Sequence, residues 1–366
     1  MKRHAILHIG PMKTGSTSIQ HWLHVSTEML AANGVHVAQG LGRNMSRLAP
    51  IVIAHVLGEA PVPSDVERLN KFADEVAKLP DSVHTLVLSG EMLGQQLHRV
   101  PEVRALKEIM DQYCDSYTVV TYLRRQDELS VSRYSTALRR GDLRARPLSQ
   151  AINYERLLHA WSTVFGRESM RVRIFDRSSL LDGDVVPDFA QTAGLPYEPI
   201  SEGAVEQNPS IRPEAQQFLH LLVERAKEEG ITQRIGDLPW FERIGTVLAN
   251  RYPGPGKKPP RKDALEFYET VRESNERARQ EWFPERKTLF KEDFSSYPEV
   301  PTAPPAREVL DVALTVLARL LTEQREATND PESEMKRALY AKIRQRRRGN
   351  REGAGRRGRR NATSED

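Results

Sequence analysis

The segment His8-Ile-Gly-Pro-Met-Lys-Thr-Gly-Ser-Thr17 carries two glycines, one lysine and three hydroxyl side chains within ten residues. Phosphate binding asks for such a set. Backbone N–H groups converge on the anion at a helix N-terminus, glycine lets the chain turn tightly around it, lysine adds charge and hydroxyls add donors. Gly10 and Gly15 keep the spacing of the G-x-x-x-x-G-K-[ST] loop, but Ser16 stands where that loop has its lysine, and Lys13 precedes the second glycine. In an ATP-binding loop the lysine reaches the β- and γ-phosphates and the next hydroxyl holds Mg²⁺. A lysine placed earlier meets a shorter anion from the other side. The expected ligand is a nucleotide whose single 5′-phosphate bears a transferable group. The competing reading is a strand–turn–helix connection that merely carries Gly and Lys.

Other residues invite chemistry of their own. Arg124-Arg125 ends the run Val119-Val-Thr-Tyr-Leu123, at the strand end where ligands bind in open α/β sheets, and Ser132 follows Arg124 by eight residues, about two helical turns. The alternative is a solvated arginine pair facing Asp127 and Glu128. Glu91 follows the apolar run Thr85-Leu-Val-Leu88 within Ser89-Gly-Glu91; it is a candidate proton acceptor, or a first-turn glutamate facing a helix dipole. His36, after the short Val35 strand, is its rival as a base. His55 sits in an apolar, helix-like run and is read as packed in the core, and His8 precedes the loop on a buried strand and is read as structural. No pair of histidines has a metal-ligand spacing with a carboxylate partner, so no metal site is assigned.

The elements that must position these residues alternate. Residues 4–9 are short and apolar and stop at Gly10-Pro11, a buried strand meeting a loop. From Thr17, Ile19, Trp22, Leu23, Met29 and Leu30 fit one helix, ended by Asn33-Gly34, with a short strand at 35–37. Helical patterns over 64–79, 101–113, 127–139 and 150–165 alternate with strands at 85–88, 117–123 and 170–175. The fold class is therefore α/β: a parallel sheet flanked by helices, P-loop nucleotide-binding-like, with a helical C-terminal extension. The domain assignment is 1–300 as one α/β unit with its helical part at 209–300, then 301–343 as linker and amphipathic helix, then 344–366 as a basic, disordered tail.

Lys13-Thr-Gly-Ser-Thr17 resembles the 5′-phosphosulfate loop of sulfotransferases, which use 3′-phosphoadenosine 5′-phosphosulfate (PAPS). The resemblance implies that Thr14, Gly15, Ser16 and Thr17 hold the 5′-phosphate and that Lys13 stabilises the leaving oxygen. The family's 3′-phosphate motif is an Arg at a strand end with a Ser eight residues on, which implies that Arg124 and Ser132 grip the 3′-phosphate, with Arg125 and Ser130 as helping neighbours. The base of the family follows the strand between these motifs, a His in many cytosolic members and a Glu in some carbohydrate members, which implies Glu91. One departure stands out: cytosolic small-molecule members often place a Trp directly after the loop, and here that position is Ser18, as in carbohydrate-type and bacterial members. Trp22, one turn on, is read as core. The specific motifs cover residues 4–140. The implied function is metal-independent transfer of a sulfuryl group from PAPS to a hydroxyl or amine, on a saccharide or lipid-linked saccharide. Alternatives are a nucleotide kinase-like P-loop enzyme and a non-catalytic PAPS- or nucleotide-binding protein.

Composition narrows the setting. The chain has 366 residues, one cysteine and no apolar run long enough to span a membrane, and its N-terminus lacks a signal-peptide pattern. A cytoplasmic location is expected. Nine arginines lie between Arg344 and Asp366 against three acidic residues, so the tail carries +6 of a net +4 and the remainder is about −2. The body is thus not a nucleic-acid surface; weak contact of the tail with anionic surfaces is expected at most. Asn275 and Arg279 in a late helical segment, and Gly256-Lys257-Lys258 in a Pro/Gly-rich loop, are weaker candidates for reaching the site.

Overall fold

The computed structural model describes residues 2–42, 44–142, 146–149, 151–200, 210–231 and 239–328. Five parallel strands form one sheet: β1 (Arg3–His8), β2 (Val35–Val37), β3 (Thr85–Ser89), β4 (Cys114–Leu123) and β5 (Met170–Ile174), in the order β2-β3-β1-β4-β5. Between and after them lie α1 (Ser16–Val25), α2 (Thr27–Ala32), α3 (Leu48–Val56), α4 (Pro63–Ala77), α5 (Glu91–Gln96), α6 (Val100–Met110), α7 (Gln126–Arg139), α8 (Tyr154–Phe165) and α9 (Val185–Ala193). The C-terminal part adds α10 (Pro213–Glu228), α11 (Pro239–Arg251), α12 (Arg261–Glu269), α13 (Arg272–Trp282) and α14 (Ala306–Thr328).

Strand side chains alternate between two covered faces, which is why the strands read as near-continuous apolar runs. Ala5, Leu7, Leu86, Leu88 and Val119 face a core shared with helices α3 to α6 and α8. Ile6, Val87, Val120 and Tyr122 face the opposite way, toward Ile19, Trp22 and Leu23 of α1 and Phe189 of α9. A third cluster joins Leu138 of α7 to Leu219, Phe241, Val312 and Val316, so α10, α11 and α14 pack as one layer. No helix among the described residues is long and apolar enough to cross a membrane.

The helix expected from Thr17 to Leu30 is divided at Ser26 into α1 and α2. Thr27 is the cause: its hydroxyl donates to the carbonyls of Leu23 (3.2 Å) and His24 (2.8 Å), diverting the last turn of α1. The basic tail at 344–366 lies outside the described residues.

Candidate nucleotide site

In the strand order, β1 leads to one side of the sheet and β4 to the other, so the crevice beyond their C-terminal ends is the topological switch point. The loop after β1 and the loop after β4 meet there. The carbonyl of Gly10 accepts from the Thr121 hydroxyl (2.8 Å) and the Tyr122 N–H (3.1 Å), both on β4. On the other side α5 is pressed onto the same loop: the N–H of Gly94 reaches the Ile9 carbonyl at 2.8 Å, and a Cβ on Gly10 would lie 2.8 Å from the Glu91 Cα. Gly10 thus has two reasons to be glycine, this close approach and a φ of +82°. Lys13 adopts φ +67°, a left-handed conformation that holds the loop in a tight curve.

The hydroxyls of Thr14 (2.6 Å) and Ser16 (3.4 Å) both donate to the Pro11 carbonyl and are buried. They close the loop on itself, while the Thr17 side chain is exposed. Gly15 caps α1 at φ +80° with no side-chain cap, which leaves the first N–H groups of that helix directed at the crevice. A Cβ on Gly15 would stand 2.6 Å from Cγ1 of Val185, the first residue of α9.

Charge gathers at this point. Burial pushes the Lys13 amine below its usual value, assisted by Arg139, Arg124 and Arg140 and opposed by Glu91. Burial likewise pushes the Glu91 carboxyl above its usual value, although Arg140 and Lys13 pull it back. Lys13, Glu91, Arg124 and Arg139 are each half-buried, and the exposed Arg140 lies near enough to bear on the charges of Lys13 and Glu91. Glu91 is also the first residue of α5, so both sequence readings of it describe the same place. Arg124 donates from Nη1 to the Lys13 carbonyl (2.8 Å), sits 3.5 Å by Nε from Glu128, and lies over the Phe175 ring. The buried Tyr154 fixes its backbone, accepting from the Arg124 N–H and donating to the Arg124 carbonyl. Ser132, half-buried on α7, shares a helix face with Glu128 four residues before and Arg139 seven after.

Arg139 and Arg140 escaped the sequence reading. They end α7, far along the chain from Lys13, and only the path of the helix returns them to the loop. The buried Nε of Arg139 has no hydrogen-bond partner.

Other candidates are engaged elsewhere. Arg125 binds both oxygens of the buried Asp127 and the carbonyls of Lys291 and Asp293, over the Phe294 ring, so it ties α7 to the C-terminal segment. Ser130 is buried in α7. His36 is bound to Glu75 at 2.7 Å. His55 is exposed in the last turn of α3, because that helix buries Leu48, Ala49, Ile51 and Val52 instead; the core position expected for it is not where it lies. His8 is fully buried, bonded by Nδ1 to the Ser89 hydroxyl, and pushed down to about 3 by burial. Trp22 packs in the core against Phe189. Asn275 forms a reciprocal amide pair with Gln126, and Arg279 is held by Glu276, so neither reaches the pocket. Lys258 lies over the Tyr297 ring and the Lys257 N–H binds Gln216, which in turn donates to Ser135 on α7.

No family model matches the chain. An uncharacterized protein of Archaeoglobus fulgidus is 28% identical over 208 residues, 54% of this chain and 54% of that protein, so the chain spans about half of that relative's length. The crystal structure of a sulfotransferase from Alicyclobacillus acidocaldarius matches 66% of this chain and 99% of its own, with a TM-score of 0.35 and 12% identity. That likeness is too distant to carry an argument.

Proposed function

We propose that the chain is a sulfotransferase that moves a sulfuryl group from PAPS to an acceptor hydroxyl or amine. The observation that carries this reading is the gathering of Lys13 and Arg124, joined by a 2.8 Å bond, with Arg139, Arg140 and the Glu91 carboxyl near the uncapped N-terminus of α1. Four cations and open backbone N–H groups suit a doubly phosphorylated nucleotide. The Glu91 carboxyl, whose affinity for a proton burial raises, suits a proton acceptor.

In the transfer, the acceptor oxygen forms a bond to sulfur as the bond from sulfur to the 5′-phosphate oxygen breaks, and the acceptor's proton passes to Glu91. The products are a sulfate ester and 3′-phosphoadenosine 5′-phosphate. Lys13 lies in a desolvated loop, where a cation stabilises developing negative charge on the leaving oxygen strongly. The N–H groups at the start of α1 hold the 5′-phosphate, and Arg124 with Ser132 holds the 3′-phosphate. The position of Lys13 before Gly15 disfavours an ATP-type γ-phosphate. A saccharide acceptor follows by analogy with carbohydrate-type members.

The test is calorimetric titration with 3′-phosphoadenosine 5′-phosphate, AMP and ATP–Mg²⁺. Charge-assisted bonds to the 3′-phosphate make the bisphosphate bind about 10- to 100-fold more tightly than AMP. A preference for ATP–Mg²⁺, or equal binding of AMP, would overturn the reading.

A further inference from the structure

We propose that a polar cavity between α5, α7 and the start of α8 is the acceptor site, and that it selects a hydroxyl compound bearing a carboxylate or similar anion. This rests on the sulfotransferase reading and adds the chemistry of the acceptor to it.

The cavity has a volume of about 340 Å³ and is lined by Gln95, His98, Arg133, Asn153 and Arg156, with Ala151 and Ile152 as its apolar part. That size suits a sugar-sized molecule. One helix spacing ties it to the proposed base. Gln95 follows Glu91 by four residues on α5, so the two stand on one face a turn apart. One wall of the cavity is therefore a single helical turn from Glu91.

Its hydrogen-bonding groups ask for a polar guest. The Oε1 of Gln95 is buried and has no hydrogen-bond partner, a rarity in folded proteins and an open acceptor for a hydroxyl. His98 donates from Nε2 to the Gln95 carbonyl at 2.7 Å, and burial lowers its pKa, so Nδ1 is an acceptor in the neutral ring. Asn153 uses Oδ1 to accept from the Arg156 N–H and the Ser274 hydroxyl, both at 2.8 Å, so its amide nitrogen is the group it offers. Among the described residues none that lines the cavity is acidic, while two are arginines. Arg133 is half-buried and Arg156 stands exposed at the rim. A guanidinium fork matches a carboxylate or sulfate in two parallel bonds. Hydroxyl-binding amides between two arginines fit a molecule that carries both hydroxyls and an anion.

The test uses 4-nitrophenyl β-D-glucuronide and its neutral counterpart, 4-nitrophenyl β-D-glucoside, titrated calorimetrically into protein saturated with 3′-phosphoadenosine 5′-phosphate. The glucuronide is expected to bind about tenfold more tightly, and Arg133→Gln and Arg156→Gln each to remove most of that preference at unchanged nucleotide affinity. Should Arg133→Gln fail to fold, the exposed Arg156→Gln decides alone. Equal affinity for the two glycosides, a preference that survives Arg156→Gln, or displacement of the nucleotide by the glucuronide would overturn the inference while leaving the donor site standing. Failure of the nucleotide itself to bind would overturn the donor reading, and the acceptor site with it.

Discussion

Burial shifts Glu91 and Lys13 each toward its neutral form. The shifts have opposite signs, so the working window narrows from both ends. In the proposed transfer, the rate should rise as Glu91 loses its proton, at a pH above the ordinary 4.5 of a glutamate, and fall as Lys13 loses its own, at a pH below the ordinary 10.5 of a lysine. A bell-shaped rate profile is expected. Glu91→Gln should lower the rate by about 10²- to 10⁴-fold and remove the acid limb; Lys13→Arg should move the alkaline limb upward. An acid limb that persists in Glu91→Gln would take the base role from this residue. The positions of Lys13, Glu91 and Arg124 were legible in the sequence because each stands within five residues of a strand's end, where short-range pattern fixes position. Arg139 and Arg140 were not, since their nearness to Lys13 depends on the tilt of a whole helix.

The loop between β1 and α1 is held by contacts with other elements, and Gly15 shows how closely. An alanine there would need a φ of +80° and would place its Cβ 2.6 Å from Val185 on α9. Gly15→Ala should cost about 2–3 kcal/mol in urea unfolding. Combined with Val185→Ala, the clash is relieved, and the double variant should be about 1 kcal/mol more stable than the two losses added together. Strict additivity would contradict the contact. The strands and most helices of the sheet domain were legible from their alternating apolar runs. The helix α9 was missed, because Val185-Val-Pro-Asp-Phe-Ala-Gln-Thr-Ala193 is short and carries a proline in its first turn. The division of the first helix at Ser26 turned on a single threonine hydroxyl.

Across the whole molecule, Arg124 and Arg125 show that adjacent residues serve different ends. Arg124 turns to the crevice, whereas Arg125 locks the start of α7 to the segment after α13, together with the Tyr297 hydroxyl, which donates to Asp127 at 2.6 Å. Arg125→Ala leaves the buried Asp127 without its cation and should destabilise the protein by about 3–5 kcal/mol. Arg124→Ala removes one part-buried bond and should cost about 1 kcal/mol. The reverse order in urea unfolding would contradict this division. The sequence announced a helical C-terminal part but not what it holds, because the partners of Arg125 stand 166 and 168 residues away.

The central claim is that two cationic stations hold the two phosphates of one nucleotide. Phosphorus-31 NMR of 3′-phosphoadenosine 5′-phosphate, with and without the protein, reads each phosphate separately. Both resonances should shift with the unaltered protein. With Arg124→Ala, the 3′-phosphate resonance should return toward its free position while the 5′-phosphate resonance stays displaced. Unshifted resonances, or a 3′-phosphate signal indifferent to Arg124, would contradict the account.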